Sequence, residues 1–270
     1  MSWSRSAAIC RHEFRLLRAD AASLLSLVLM PLIMIAFLRP LARLALNDDH
    51  PGANGSEFTV PAMATMFAFF LVAMIGFSFL SERQLGTWER LRASQATSGE
   101  ILVGKVIPAF TLALFQQTAL FGMGFAIFGL RTKGSILGLA LVVLALCVCL
   151  TSMGVLIAAI FKSNQQLNAF ANIMTMVLAG VSGAFVPIDL LPNWARTIAP
   201  VSPQYWALRG YRSMILDGEG VASVLLPVGV LMAFAAVCAV LASMRLRFDE
   251  DTARADALPS DGPAPAATAA

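Results

Sequence analysis

Six stretches of the chain carry no charged residue: 21–38, 58–81, 106–130, 134–161, 163–188 and 220–244. Each is at least 18 residues long, close to or above the ~20 apolar residues that take a helix across a bilayer core. One ionisable group at a span centre costs roughly 2.5–3.5 kcal/mol on an insertion scale, so six clean windows do not arise as a by-product of an ordinary core. The pattern predicts an all-α polytopic membrane protein with six transmembrane helices.

The polar positions are grouped between those stretches. In the first twenty residues Trp3, Ala7, Cys10, Phe14 and Leu17 recur every three or four positions, among Arg5, Arg11, Arg15 and Arg18. That spacing predicts an N-terminal amphipathic interfacial helix, basic on its outer side. A signal peptide also puts basic residues before apolar ones, but the following 18-residue run exceeds a usual h-region and no A-x-A site follows it. An acidic, turn-rich loop comes next, over 47–57. After the fifth stretch Pro187, Pro192, Pro200 and Pro203 leave room only for short helical turns, and Trp194, Tyr205 and Trp206 have the amphipathic character of interface anchors. The last 23 residues, from Phe248, are rich in Ala, Pro and Asp and read as disordered. The expected division is an interfacial helix over 1–20, a six-span domain over 21–247 and a tail over 248–270.

The most polar run between two apolar stretches is Ser81-Glu82-Arg83-Gln84-Leu85-Gly86-Thr87-Trp88-Glu89-Arg90-Leu91-Arg92-Ala93-Ser94-Gln95. At helical spacing Leu85, Trp88 and Leu91 share one face, while Glu82, Arg83, Glu89 and Arg90 lie elsewhere. A short helix carrying both signs of charge suits a soluble partner better than lipid headgroups, which favour basic polar faces.

Composition agrees with the membrane reading. Hydrophobic residues make up 58% and charged residues 13%, about half the usual ~25%. The net charge of +3 comes without a basic stripe interleaved with aromatics, so nucleic acid is not an expected partner. Four cysteines stand without a C-x-x-C pair, which argues against a disulfide framework or a zinc site.

Candidate catalytic motifs all fail at a necessary residue. Gly99-Glu100-Ile101-Leu102-Val103-Gly104-Lys105-Val106 approaches a phosphate loop, but Val106 has no hydroxyl for magnesium and no strand precedes it. Lys105 is better read as snorkelling to the interface, with Gly104 letting the polar helix turn into the span. His12-Glu13 opens a zinc-protease motif that Leu16 breaks. His50 is in a loop, and Asp48-Asp49 is too small an acidic cluster for a magnesium–diphosphate site. No cofactor, metal or catalytic site is therefore expected in this chain. An ion-coupled secondary transporter is the alternative class. Its usual proton-relay residues are missing from the apolar windows, although backbone carbonyls and hydroxyls could still hold sodium. The third span holds Gln116 and Gln117, and the fifth begins with Asn168 and Asn172. Such amides usually hydrogen-bond between helices, worth roughly 0.6–2 kcal/mol, and their sharper reading is as lining of a transport path. Gly134-x-x-x-Gly138 allows close helix approach.

The run Glu82-Arg83-x-x-Gly86-Thr87-x-Glu89-x-Leu91, followed by Gly104-Lys105, resembles the cytoplasmic coupling region of exporter-type ABC permeases, the type-2 class that includes daunorubicin-type exporters. It departs from that pattern at Ser94-Gln95-Ala96, where members often carry a proline. The stretch from Ser182-Gly183-Ala184-Phe185-Val186-Pro187 through Tyr205-Trp206 to Leu208-Arg209 resembles the short external helices that precede the last span of those permeases. The resemblance implies a permease subunit driven by a separate ATPase subunit, which binds ATP and magnesium and grips Leu85, Trp88 and Leu91. Glu82, Arg83, Glu89 and Arg90 would orient the contact, and Gly86 and Thr87 would allow close approach. It also implies a second permease, as homodimer or heterodimer, surrounding lipid, and cytoplasmic termini in the inner (plasma) membrane. With the N-terminus inside, seven of the 19 Lys and Arg fall outside. The inner segments are also longer, so orientation rests on the resemblance. Many Phe and Met in the spans favour an apolar, adaptable cavity, hence a hydrophobic drug, antibiotic or lipid-linked substrate.

Overall fold

The computed structural model describes residues 3–46, 50–84 and 98–256. Nine α-helices follow in order among them: α1 (Trp3–Ala19), α2 (Ala21–Leu46), α3 (Ser56–Gln84), α4 (Ser98–Ala126), α5 (Ile136–Ile160), α6 (Asn164–Ser182), α7 (Asn193–Ile198), α8 (Pro203–Ile215) and α9 (Leu225–Asp256). Short 3₁₀ turns at Ile188–Leu190, Ala199–Val201 and Val221–Val224 complete the described chain, which contains no strand. A membrane interior offers no water to backbone N–H and C=O groups, and a helix satisfies them within one segment.

Five of these helices are long and apolar enough to cross a bilayer: Leu24–Leu46, Ser56–Leu80, Leu102–Ala126, Ile136–Ile160 and Val221–Arg245. The helix of the expected span 163–188 is not among these five. That helix, α6, has 19 residues, roughly 28 Å at 1.5 Å per residue, and Asn164, Gln165, Gln166 and Asn168 occupy its first turns. Those amides carry no charge, so a charge-free window includes them although their hydropathy is low. At the other end α6 stops on Gly183, whose φ of 92° gives the left-handed cap that donates its N–H to Ala179 O.

Helix α3 is the central post. Of its span 72% is buried inside the chain, against 17% for α2 and 22% for α9, which run along the outside. The layer around Phe69, Met63 and Leu71 is fully buried. Lower down, α3 and α5 meet where Gly76 faces the carbonyl of Gly154, and a Cβ on Gly154 would lie 2.5 Å from Ile75 Cγ2. Leu167 of α6 plugs the same crossing and has no exposed surface. The Gly134-x-x-x-Gly138 approach is made within the chain, where both glycines lie against Met214 of α8.

Alternation of the spans gives the bundle two ends. One carries the connections 85–97 and 161–163, and the other carries 46–56, 126–136 and 182–225. Helix α9 runs through Asp256, into the segment expected to be a disordered tail. Each residue added to an existing helix contributes a hydrogen bond without a new nucleation cost. Residues 257–270, like the Asp48-Asp49 pair, lie outside the described residues.

Candidate coupling site

Glu82 and Arg83 fall in the last turn of α3. Leu85, Gly86, Thr87, Trp88, Glu89, Arg90 and Leu91 lie outside the described residues; two stalks carry them. These are the end of α3 and the start of α4, which resumes at Ser98. Glu100, in the first turn of α4, is 2% exposed. A carboxylate there is favoured by the positive end of the helix dipole.

The stalks are tied by a side chain whose role is corrected by the structure. Lys105 does not snorkel; its side chain is 1% exposed. Its Nζ lies 3.0 Å from Glu13 Oε1 of α1, donates to Ser78 O of α3 at 3.1 Å and sits 5.2 Å from the centre of the Phe79 ring. Ser78 Oγ in turn donates to Glu13 Oε2 at 3.4 Å. One ammonium thus joins α1, α3 and α4 about two turns from the polar connection. Two charges brought out of water in this way are favourable only as a pair, because either one alone keeps its desolvation cost without its compensation.

The neighbouring Gly104 makes this approach possible. A Cβ there would lie 2.8 Å from both Cβ and Cγ2 of Ile9, so α1 seats into a notch on α4 that only glycine leaves open. The seam of α1 is accordingly turned from the expected one. Ser6 and Glu13 are buried, Ile9, Cys10, Phe14 and Leu17 are half-buried, and Ala7 is exposed. Arg11, Arg15 and Arg18 remain on the exposed side, so the basic outer face stands.

The amides inside the spans divide into two kinds. Gln116 and Gln117 are completely buried. Gln117 Nε2 donates to Ala64 O of α3 at 3.0 Å, and Gln116 Nε2 to Leu27 O of α2 at 3.4 Å. They are ties between helices. Asn168 and Asn172 point outward from α6, on the side where Ile173, Met176 and Val177 are also exposed. The four amides are therefore not brought together. Sequence reasoning missed Glu13 as a functional residue: its partner is on another helix, and no local pattern reports that. Among the described residues, no group of three or more His, Cys, Asp or Glu is placed to hold a metal ion.

The class the fold defines is an all-helical, multi-pass membrane bundle. More narrowly, the chain belongs to the ABC-2 type transporter family, whose profile matches residues 6–216, from the first turn of α1 to the end of α8. It is 31% identical over 197 residues to the linearmycin resistance permease protein LnrN of Bacillus subtilis, covering 72% of this chain and 51% of that protein. It is 26% identical over 160 residues to the probable multidrug ABC transporter permease YbhR of Escherichia coli, 58% of this chain and 43% of that one. Nodulation protein J of Rhizobium leguminosarum is 30% identical over 162 residues, 60% and 61% of the two chains. The chain spans about half the length of the first two relatives.

Proposed function

We propose that this chain is the transmembrane permease subunit of an ATP-driven exporter, moved by a separate ATPase subunit that docks on residues 82–95. The observation that carries this reading is the Lys105 tie, considered together with membership of the ABC-2 family. A force applied to the connection between α3 and α4 enters two helices that cannot move independently, and through Glu13 it enters α1 as well. Leu85, Trp88 and Leu91 supply the apolar contact, Glu82, Arg83, Glu89 and Arg90 orient it, and Gly86 and Thr87 allow close approach. ATP and magnesium are bound by the partner.

A second permease completes the pathway, because one chain leaves the outer faces of α2 and α6 uncovered. Phe37 and Leu44 of α2 are more than 70% exposed, and Asn168 and Asn172 of α6 line the path from that face. ATP binding then drives a rigid-body change between inward-facing and outward-facing arrangements. In this reading both termini are cytoplasmic, the membrane is the inner (plasma) membrane, and lipid surrounds the dimer. The domains are the interfacial helix over 1–20, the permease domain over 21–247 and the tail over 248–270. The names of the relatives, one for linearmycin resistance and one for multidrug transport, support a hydrophobic drug, antibiotic or lipid-linked substrate.

The test is co-purification. A tagged full-length permease brings down an ATPase, and Trp88→Arg, which places a charge in the apolar contact, releases it while the permease stays folded in detergent. ATP hydrolysis by the purified permease alone overturns the subunit reading, and nucleotide-free, proton-driven uptake into vesicles favours the ion-coupled carrier.

A further inference from the structure

At the end of the bundle opposite the coupling site is a cavity of about 630 Å³, walled by the last turn of α2, the first turns of α3, the end of α6 and its following turn, and α8. That volume is within the ~300–1,000 Å³ usual for small-molecule sites. Because its walls are the ends of spans, the cavity lies at headgroup depth. The lining is of two kinds. Leu46, Phe58 and Leu208 make an apolar wall, while Asp189, Arg209, Arg212, Asp217 and Glu219 also face the space.

These charges are not equally committed. Arg212 holds Asp189 at 2.7 Å and approaches Asp217 at only 3.9 Å. His50 stands 3.8 Å from the same Asp217 carboxylate. Among the described residues Arg209 has no carboxylate partner, and its guanidinium lies 5.3 Å from the centre of the Trp206 ring. That indole is fixed by its own N–H, donated to Pro200 O at 2.8 Å. Glu219 likewise has no cationic partner among the described residues, and its backbone is held by a hydrogen bond from its N–H to Ser213 O at 3.0 Å. One cavity thus presents an uncommitted cation and an uncommitted anion above an apolar wall, at the depth where lipid headgroups lie.

We propose that this cavity binds the headgroup of a zwitterionic phospholipid with a primary ammonium, such as phosphatidylethanolamine. The phosphate meets Arg209, a planar donor suited to phosphate oxygens, and the ammonium meets Glu219 and Asp217. The glycerol and first chain carbons lie on Leu46 and Phe58, and the acyl chains leave along the exposed outer face of α2 at Leu41 and Leu44. A singly anionic headgroup satisfies Arg209 but brings no cation to Glu219, so the site discriminates against it. The proposal needs only the membrane setting and is independent of the transport reading.

The test is lipid retention by the full-length protein in nanodiscs of mixed phosphatidylethanolamine and phosphatidylglycerol, read by native mass spectrometry. The expected result is enrichment of phosphatidylethanolamine over bulk by about fivefold, the factor that ~1 kcal/mol from one part-exposed charge pair supplies. Glu219→Gln, a change on an exposed turn, abolishes the preference for phosphatidylethanolamine over phosphatidylglycerol. Arg209→Gln lowers retention of both lipids. Soluble glycerophosphoethanolamine, which has the headgroup but no chains, competes poorly. Retention that mirrors bulk composition, enrichment unaltered in Glu219→Gln, or full displacement by the soluble headgroup overturns the proposal.

Discussion

Two sets of ion pairs stand at opposite ends of the bundle and are built in opposite ways. At the coupling end Lys105 and Glu13 have 1% and 11% of their side chains exposed and meet at 3.0 Å, with Ser78 O as a further acceptor. At the other end Arg212 and Asp189 are 38% and 54% exposed, and the contacts that extend from them, to Asp217 and on to His50, lengthen to 3.9 and 3.8 Å. A buried pair is held to one geometry, because separating its members strands a charge out of water. An exposed pair exchanges its partner for water at little cost. The difference teaches where the chain is stiff. Motion imposed on α3 and α4 reaches α1 without slack, whereas the turns after α6 and α8 can rearrange while their charges stay solvated.

The strongest way to break that comparison is to remove one member of the buried pair. Lys105→Met leaves the Glu13 carboxylate without its cation and is expected to destabilise the protein by about 3–5 kcal/mol, seen as a large fall in the thermal midpoint of the purified protein. Combining it with Glu13→Leu, which removes the orphaned charge, recovers most of the loss. A double mutant no better than Lys105→Met alone would mean that the two side chains act separately.

The comparison can be sharpened without touching a charge. Gly104→Ala drives a methyl group against Ile9, whose branched Cβ has no room to swing away. Overpacking of this kind costs about 1–3 kcal/mol and lifts α1 from α4. Gly220→Ala, at the far end, meets nothing within 4 Å and has an ordinary backbone conformation, with φ −76°, so its effect should stay within about 0.5 kcal/mol. Thermal denaturation of the two variants side by side measures the asymmetry directly, and similar losses for both would remove it.

Much of this architecture was legible in the order of residues. Charge-free windows located the spans, because an ionised group in hydrocarbon is costly wherever it falls. Prolines at 187, 192, 200 and 203 forced the short turns before α9; the last of them stands at the start of α8, where Ser202 Oγ accepts the N–H of Gln204 at 3.1 Å. What was not legible depended on partners. The periodicity of α1 pointed to the seam through Ala7, Cys10 and Phe14, and the notch at Gly104 with the cation beside it turned the helix toward Ser6, Ile9 and Glu13. Lys105 at a window edge looks the same whether it reaches for water or for a carboxylate on another helix. Amides divide only in three dimensions too: Gln117 turned inward to the Ala64 carbonyl of α3, while Asn168 and Asn172 turned out on α6.

The smallest effect is expected at the open network, and it is the more discriminating for being small. Arg212→Gln removes the 2.7 Å contact to Asp189 and the long one to Asp217. Both carboxylates keep access to water, since Asp189 is 54% and Asp217 31% exposed, so neither is stranded in the way Glu13 is. Exposed pairs of this kind are worth about 0.2–1 kcal/mol. The shift in thermal midpoint should fall in that range and shrink further in high salt, which screens solvent-exposed charges, whereas the loss in Lys105→Met should be insensitive to salt. A salt-independent loss of several kcal/mol in Arg212→Gln would make the far end as rigid as the coupling end, and the mechanical difference between the two would disappear.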